Sequence, residues 1–337
     1  MKAKVMSILP RKRFEDSGVR FPGELEMHFR HAVTEEEVIE VCRGMDFLFL
    51  PASFPVITPR ILENIPSIQM IQSAGVGYDR IDAESAALYG IPVCNAPGQN
   101  NKTVAEYTLA LLVAFQRRMV ICDREVKAGN YASIREKYFK EGLQEVRDTR
   151  MGIVGLGAIG REVARLVKLL GAEIFYYDVL RAPETVEADL GVTYMDLDEL
   201  LSTCDVISLH VPLHPKTRHL IGKRELDRMP PGSILINTAR GEIVDSKALA
   251  AALEEGRIGG AAVDTISPEP PPADHPLLNL SAEARDRLLI TPHVAGITRG
   301  AFHRMLSAGL ENIAGVTRGE PPRYVVNGVM EARKPSS

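Results

Sequence analysis

The sequence predicts an α/β protein built as two parallel-sheet domains, and three observations predict it. Short apolar runs alternate with helical patterns along nearly the whole chain, the signature of βαβ units. A glycine-rich turn, Gly155-Leu156-Gly157-Ala158-Ile159-Gly160, stands between an apolar run and an amphipathic stretch. One long apolar helix, residues 102–128 ended by Gly129, separates two series of such units. At 337 residues the chain is long enough for two ordinary cores.

In the first series the expected strands are residues 4–9, 47–50, 68–72 and 91–94, with helices at 34–42, 59–64 and 82–89. The long helix has too many apolar positions for a single stripe, so it is expected to be buried between two bodies of protein. The second series has strands at 151–154, 173–177, 205–209, 233–237, 261–263 and 288–291. Helices at 159–170, 198–202, 223–228 and 246–255 separate them, and Asp196-Leu197-Asp198-Glu199 has the spacing of an acidic capping box. A last helix at 299–317 returns the chain to the first domain. The prolines of residues 267–276 require an extended loop, and residues 331–337 read as a frayed tail. The boundaries follow: residues 1–99 with 297–330 form one domain and 100–296 the other.

Bulk properties exclude several function classes. Hydrophobic residues make up 45% of the chain and charged residues 25%, as in a globular protein. A formal charge of −4, with no basic block after Arg11-Lys12-Arg13, offers no footprint for nucleic acid. Cys42, Cys94, Cys122 and Cys204 lie far apart in apolar settings, which reads as reduced thiols and no metal site. The apolar run from Val5 to Leu9 is too short for a signal segment. The stretch 104–115 is interrupted by Glu106 and too short for a bilayer, so a soluble cytoplasmic protein is expected.

The glycine turn has the context that gives it meaning, a strand before it and a helix after it. Gly155 permits the tight turn, Gly157 lets backbone amides approach a pyrophosphate, and Gly160 allows close packing of helix on strand. The helix N-terminus then offers free N–H groups and a positive dipole end to the anion. The next strand ends in Asp178, placed to accept from both adenosine ribose hydroxyls and to repel a 2′-phosphate. Arg181, three residues on, is the one group positioned to receive that phosphate instead. Dinucleotide binding, with NAD as the cofactor, is the expectation.

Three polar residues follow later strands of the same series. Arg240 comes after the run Ile234-Leu235-Ile236-Asn237-Thr238-Ala239, Glu269 lies in the proline-rich loop after Asp264, and His293 follows Thr291-Pro292. Such strand ends are where open α/β sheets place ligands. A guanidinium binds a carboxylate bidentately, and a histidine beside a carboxylate is suited to proton transfer near neutral pH. The other seven histidines have no comparable setting.

With these residues in view, the chain resembles the D-isomer-specific 2-hydroxyacid dehydrogenase family from about Ile68 to Val326. The matching stretches are Ser73-Ala74-Gly75-Val76-Gly77-Tyr78-Asp79, Pro97-Gly98 with Val104-Ala105-Glu106, Gly155 to Gly160, His210-Val211-Pro212-Leu213, Asn237 to Gly241, Asp264 with Glu269-Pro270, and Pro292-His293-Val294-Ala295-Gly296. The resemblance implies catalytic roles for Arg240, Glu269 and His293, and substrate carboxylate binding at the amides of Val76 and Gly77, with Arg240 and His293. It implies cofactor contacts from Thr103, Ala158, Ile159, Asp178, Val211, Pro212, Thr217, Thr238, Ala239, Arg240, Asp264 and His293, beside the three glycines. It also implies two Rossmann-like doubly wound domains with a cleft between them, and a homodimer.

The chain departs from the family in places. Thr265-Ile266 stands where Val-Phe is common, Tyr131 where tryptophan is frequent, His214 where threonine is usual and Ala158 where arginine is frequent. Ser73 occupies the place of an arginine in phosphoglycerate dehydrogenases, whereas Glu269 argues against a formate dehydrogenase, which has glutamine there. The leading expectation is an NAD-dependent reductase of small unphosphorylated 2-keto acids, glyoxylate or hydroxypyruvate, with His293 as general acid. The alternatives are an NADH-sensing protein like the co-repressors of this fold, and a phosphite dehydrogenase on the same scaffold.

Overall fold

The computed structural model describes residues 2–334; the rest of the expected tail, Pro335 to Ser337, lies outside them. The chain divides into two compact units, Met1–Asn100 with Ile297–Ser337 and Asn101–Gly296. In the first unit the order is β1 (Ala3–Ser7), α1 (Arg11–Asp16), β2 (Leu25–Phe29), α2 (Glu35–Cys42), β3 (Phe47–Leu50), α3 (Pro59–Glu63), β4 (Met70–Ser73), α4 (Ala83–Leu88) and β5 (Val93–Cys94). All five strands are parallel, in the order β2-β1-β3-β4-β5. Both faces of the sheet are covered, which is why β3 and β4 are buried at every position; β3 reads as a continuous apolar run, whereas β4 ends in the buried polar pair Gln72 and Ser73.

The second unit opens with α5 (Asn101–Gln116), α6 (Met119–Lys127) and α7 (Tyr131–Glu141). The expected single helix is therefore two helices and the start of a hairpin. Phe115 is buried in the core of the unit, and Arg118 turns the chain in a left-handed conformation, φ 50°, with its guanidinium 4.8 Å from the Phe115 ring. That break redirects α6 away from the core, and neither α6 nor α7 buries a residue. Burial is confined to α5, which packs on the helix after the glycine turn.

The remaining elements are β6 (Arg150–Val154), α8 (Ala158–Leu169), β7 (Glu173–Tyr177), α9 (Glu184–Leu190), β8 (Val192–Tyr194), α10 (Leu197–Thr203), β9 (Val206–Leu209), α11 (Lys223–Arg228), β10 (Ile234–Asn237), α12 (Ser246–Glu254), β11 (Gly260–Val263), α13 (Ala282–Arg285) and β12 (Leu288–Ile290). The seven strands are parallel in the order β12-β11-β10-β9-β6-β7-β8. The sheet reverses direction of growth between β6 and β9, the point at which such sheets bind ligands. Finally α14 (Arg299–Thr317) returns to the first unit, burying Leu306, Leu310 and Ile313 in the core with Phe49.

Most expected strands and helices lie within a few residues of their sequence positions, but α1, β2, α7, α9, β8 and α13 are not among the expected elements. β2 and β8 are edge strands, half exposed along much of their length, so the apolar signal is weak. The acidic capping box does not form: Asp196 caps α10 without a side-chain bond, its Oδ1 lying 3.4 Å from the Tyr194 hydroxyl instead. The full box is at Thr34 and Glu37, opening α2. Cys42, Cys94 and Cys204 are buried, and burial pushes their thiols up to about 12. Among the described residues no helix is long and apolar enough to cross a membrane.

Candidate active site

The glycine turn joins β6 to α8 at the reversal point of the second sheet. A Cβ at Gly155, where φ is +97°, would lie 2.9 Å from the backbone of His210 and from Val211 Cγ1; one at Gly160 would lie 2.1 Å from Gly155 O. Both glycines are demanded by close approach. A Cβ at Gly157 would meet nothing within 4 Å, so it would project into the space that a ligand on the helix N-terminus needs. The N–H of Leu156 donates to Asp178 Oδ2 at 2.8 Å, which ties the acidic residue after β7 to the turn itself. Arg161 Nε donates to Leu156 O at 3.0 Å and braces the turn from the helix side. These residues fit a dinucleotide: a tight turn, N–H groups at Gly157, Ala158 and Ile159 that no acceptor takes among the described residues, and an anchored carboxylate beyond.

Val211 and Pro212 follow β9. Thr217 holds their loop, its hydroxyl donating to Pro212 O at 2.6 Å and accepting from the His214 N–H at 2.9 Å. His210 sits within hydrogen-bonding distance of Ser208, and burial pushes its imidazole down to about 4, so it is neutral at working pH. Thr238 pairs with Thr108 of α5 through their hydroxyls at 3.0 Å, and Thr103 is buried in the first turn of the same helix. Thr217 and Thr238 therefore spend hydroxyl bonds on the protein itself.

Arg240 follows β10 in a turn fixed by Asn237, whose side chain donates to Arg240 O at 2.8 Å and accepts from Ala239 N–H at 3.0 Å. Gly241 next to it is pressed on the following loop, since a Cβ there would lie 2.3 Å from Ile266 C. That contact brings the Arg240 turn against the segment carrying Glu269. Glu269 Oε1 accepts the Ile266 N–H at 3.3 Å, and Oε2 lies 2.8 Å from His293 Nδ1. Partial burial opposes ionisation of Glu269, yet the His293 hydrogen bond and charge, the Ile266 N–H and the Arg240 charge together hold its carboxyl below the usual range.

His293 itself has φ 55°, unusual for a residue with a side chain. The conformation is held by Asp264. Its backbone carbonyl accepts the His293 N–H at 2.7 Å, and its buried carboxylate accepts from Thr291 Oγ1 at 2.6 Å, Val294 N at 2.9 Å and Ala295 N at 2.8 Å. Nδ1 is committed to Glu269, so Nε2 is the ring nitrogen left to act on another molecule.

In the first unit, the loop after β4 has its own order. Ser73 Oγ donates to Gly77 O at 2.7 Å and Asn95 Nδ2 donates to Val76 O at 2.8 Å. Both carbonyls are thereby held inward. Among the described residues no acceptor takes the N–H of Val76 or of Gly77. Two adjacent free N–H groups with tethered carbonyls suit an anionic oxygen.

Glu269, His293 and the Arg240 turn are thus brought together, with Asp264 behind His293. Val76 and Gly77 belong to the other unit. Ser73 and Asn95 as supports, Asn237 as a turn clamp and Asp264 as the clamp of the His293 loop emerge only from the fold. The signal for the last was present: an acid ending one strand in a chain where the next strand leads into the histidine.

Comparisons with known proteins identify the family. The family model described as D-isomer specific 2-hydroxyacid dehydrogenase, NAD binding domain, matches residues 109–295. The chain is 38% identical over 321 residues to a glyoxylate reductase of Korarchaeum cryptofilum, covering 93% of this chain and 94% of that one. It is also 38% identical over 306 residues to a D-3-phosphoglycerate dehydrogenase of Methanocaldococcus jannaschii, covering 90% of this chain but 56% of that longer one. Among solved structures, a D-lactate dehydrogenase from Aquifex aeolicus complexed with NAD and lactic acid has a TM-score of 0.79 and 26% identity, over 94% of this chain and 96% of that one. The chain belongs to the D-isomer specific 2-hydroxyacid dehydrogenase family and is an NAD-dependent oxidoreductase acting on the CH–OH group of 2-hydroxy acids.

Proposed function

We propose that the protein is a cytoplasmic, homodimeric reductase of small unphosphorylated 2-keto acids, with glyoxylate or hydroxypyruvate as substrate, Arg240, Glu269 and His293 as its catalytic residues, and a preference for NADH. The observation that carries the reading is the 2.8 Å pair of His293 and Glu269 beside the Arg240 turn. When bound, the nicotinamide supplies the hydride. His293 Nε2 donates the proton to the carbonyl oxygen, Glu269 stabilises the charged ring and fixes its orientation, and Arg240 grips and polarises the substrate. The amides of Val76 and Gly77 take the carboxylate.

Ser73 supports the unphosphorylated class. It is fully buried and its hydroxyl is tied to Gly77, so the position where the phosphoglycerate enzymes carry arginine offers no cation here. The glyoxylate reductases among the relatives point the same way. The test is turnover of NADH with glyoxylate, hydroxypyruvate, pyruvate and phosphohydroxypyruvate, and of NAD with phosphite. Glyoxylate or hydroxypyruvate should give the highest kcat/KM. A preference for the phosphorylated acid or phosphite would replace the substrate, and no turnover at all would replace the enzyme reading by a sensing role.

A further inference from the structure

Arg181 is the only residue of the loop after β7 whose charge suits a 2′-phosphate, and the structure shows what it is doing instead. Its Nε donates to Glu187 Oε1 at 2.9 Å and its Nη2 to Glu187 Oε2 at 2.9 Å, a two-point pair across the start of α9. Tyr176, the buried penultimate residue of β7, donates its hydroxyl to the same Glu187 Oε1 at 2.6 Å and accepts the Ala182 N–H at 2.9 Å. The guanidinium also lies 5.6 Å from the Tyr194 ring on β8. Glu187 is only 12% exposed whereas Arg181 is 60% exposed, so the carboxylate is the fixed partner and the arginine the one drawn to it.

We propose that Glu187 determines cofactor specificity by latching Arg181 onto α9, away from the adenosine end. The inference rests on the reading that Asp178 faces the adenosine ribose, and it adds a second component to NAD selection. Asp178 repels a 2′-phosphate; Glu187 withholds the cation that would otherwise offset that repulsion. The geometry gives a reason for each part. Two parallel N–H···O bonds satisfy the face of the guanidinium that a phosphate would need. Tyr176 and Ala182 fix the loop between the acid and the arginine, so that the pair forms without reordering the chain. The Arg181 hydrogen bond first, and the Tyr176 hydroxyl second, hold the Glu187 carboxyl down at about 2, so the latch is charged throughout the usable pH range.

The experiment measures binding of adenosine 2′,5′-bisphosphate and of adenosine 5′-monophosphate to the full-length protein by calorimetry, with NADPH and NADH kinetics alongside. The ratio of the two dissociation constants reads the 2′-phosphate alone. In Glu187→Gln the ratio should move at least about tenfold in favour of the bisphosphate, and in the double variant Arg181→Ala, Glu187→Gln it should return to the wild-type value. Arg181→Ala alone should leave the ratio unchanged, because the latched arginine is silent; this variant removes only an exposed side chain. A wild-type ratio in Glu187→Gln, a gain that survives loss of Arg181, or a tenfold loss in Arg181→Ala alone would each overturn the latch. Asp178→Asn separates the two readings. If it leaves the ratio unchanged, the assignment of Asp178 to the ribose fails and the latch falls with it; if it shifts the ratio while Glu187→Gln does not, only the latch is wrong.

Discussion

Asp264 holds His293 by its backbone and the flanking residues by its carboxylate: the His293 N–H donates to Asp264 O at 2.7 Å, and the Asp264 side chain takes the N–H groups of the two residues after the histidine. The last strand, β12, ends at Ile290, so this histidine stands on a loop. Loops are mobile unless their backbone groups are tied, and the three donors converging on Asp264 tie this one. A left-handed histidine costs energy that the surroundings must offset, and such residues gather at functional sites.

Asp264→Ala should therefore lower stability and activity together. It leaves the N–H groups of Val294 and Ala295 and the Thr291 hydroxyl without their acceptor, at about 1–3 kcal/mol for each that stays buried. Displacement of the His293 ring should cost kcat on the order of a hundredfold. Thermal melting and single-turnover kinetics check both effects. Full kcat in the variant would show that the loop holds its shape without Asp264.

The pH dependence follows from Glu269. Its carboxyl is held below the usual range, so its pairing with His293 contributes stability above that range and loses it as pH falls through the lowered value. At neutral pH the carboxylate is charged and pairs with the ring assigned to proton delivery. Glu269→Gln should accordingly shift the high-pH decline of the reduction rate to lower pH, while His293→Ala should lose roughly a hundredfold to ten-thousandfold in rate at every pH. A kcat/KM profile unchanged in Glu269→Gln would break the assigned coupling.

Ser73 and Asn95 should act on substrate affinity. Freed from Asn95, the Val76 carbonyl can rotate and carry the adjacent N–H groups out of alignment. Asn95→Ala and Ser73→Ala are expected to raise KM for the keto acid about tenfold and leave KM for NADH unchanged, as loss of a hydrogen bond to a charged group does. Inhibition by a non-reacting acid such as oxamate should weaken in parallel. An effect confined to kcat would count against the amide seat.

The hairpin of α6 and α7 should be the dimer contact. Met119, Val120, Val126, Tyr131 and Phe139 are all exposed on it, and short helices that bury nothing are not stable in isolation. Sedimentation should find a dimer at micromolar concentration, and Val120→Asp with Phe139→Ser should shift it toward monomer. A monomeric wild-type protein would leave those side chains unexplained.

What could be read from the residues alone was whatever leaves a local pattern. The glycine turn, Asp178, Arg240, Glu269 and His293 all lie in the turns and loops that follow strands, and the alternation of apolar runs and amphipathic helices orders those segments along the chain. The α/β class and the parallel sheets follow from the same alternation, because strands buried on both faces are mostly apolar. The edge strands β2 and β8 escaped because half-exposed strands carry weak periodicity, and the break at Arg118 escaped because nothing in Arg117-Arg118 forbids a helix.

Tertiary structure decided everything that depends on partners distant in sequence. Whether Asp196 or Thr34 closes a capping box depends on where each side chain finds its bonds, not on spacing. Asp264 became the support of His293 because β11 and β12 are neighbours in the sheet, a fact set by strand order. The position of Arg181, three residues after Asp178, suits a phosphate ligand; tertiary packing gives it Glu187 instead, a carboxylate that also takes the Tyr176 hydroxyl. Charge type is written in the chain, but which opposite charge it meets is settled only when the elements pack.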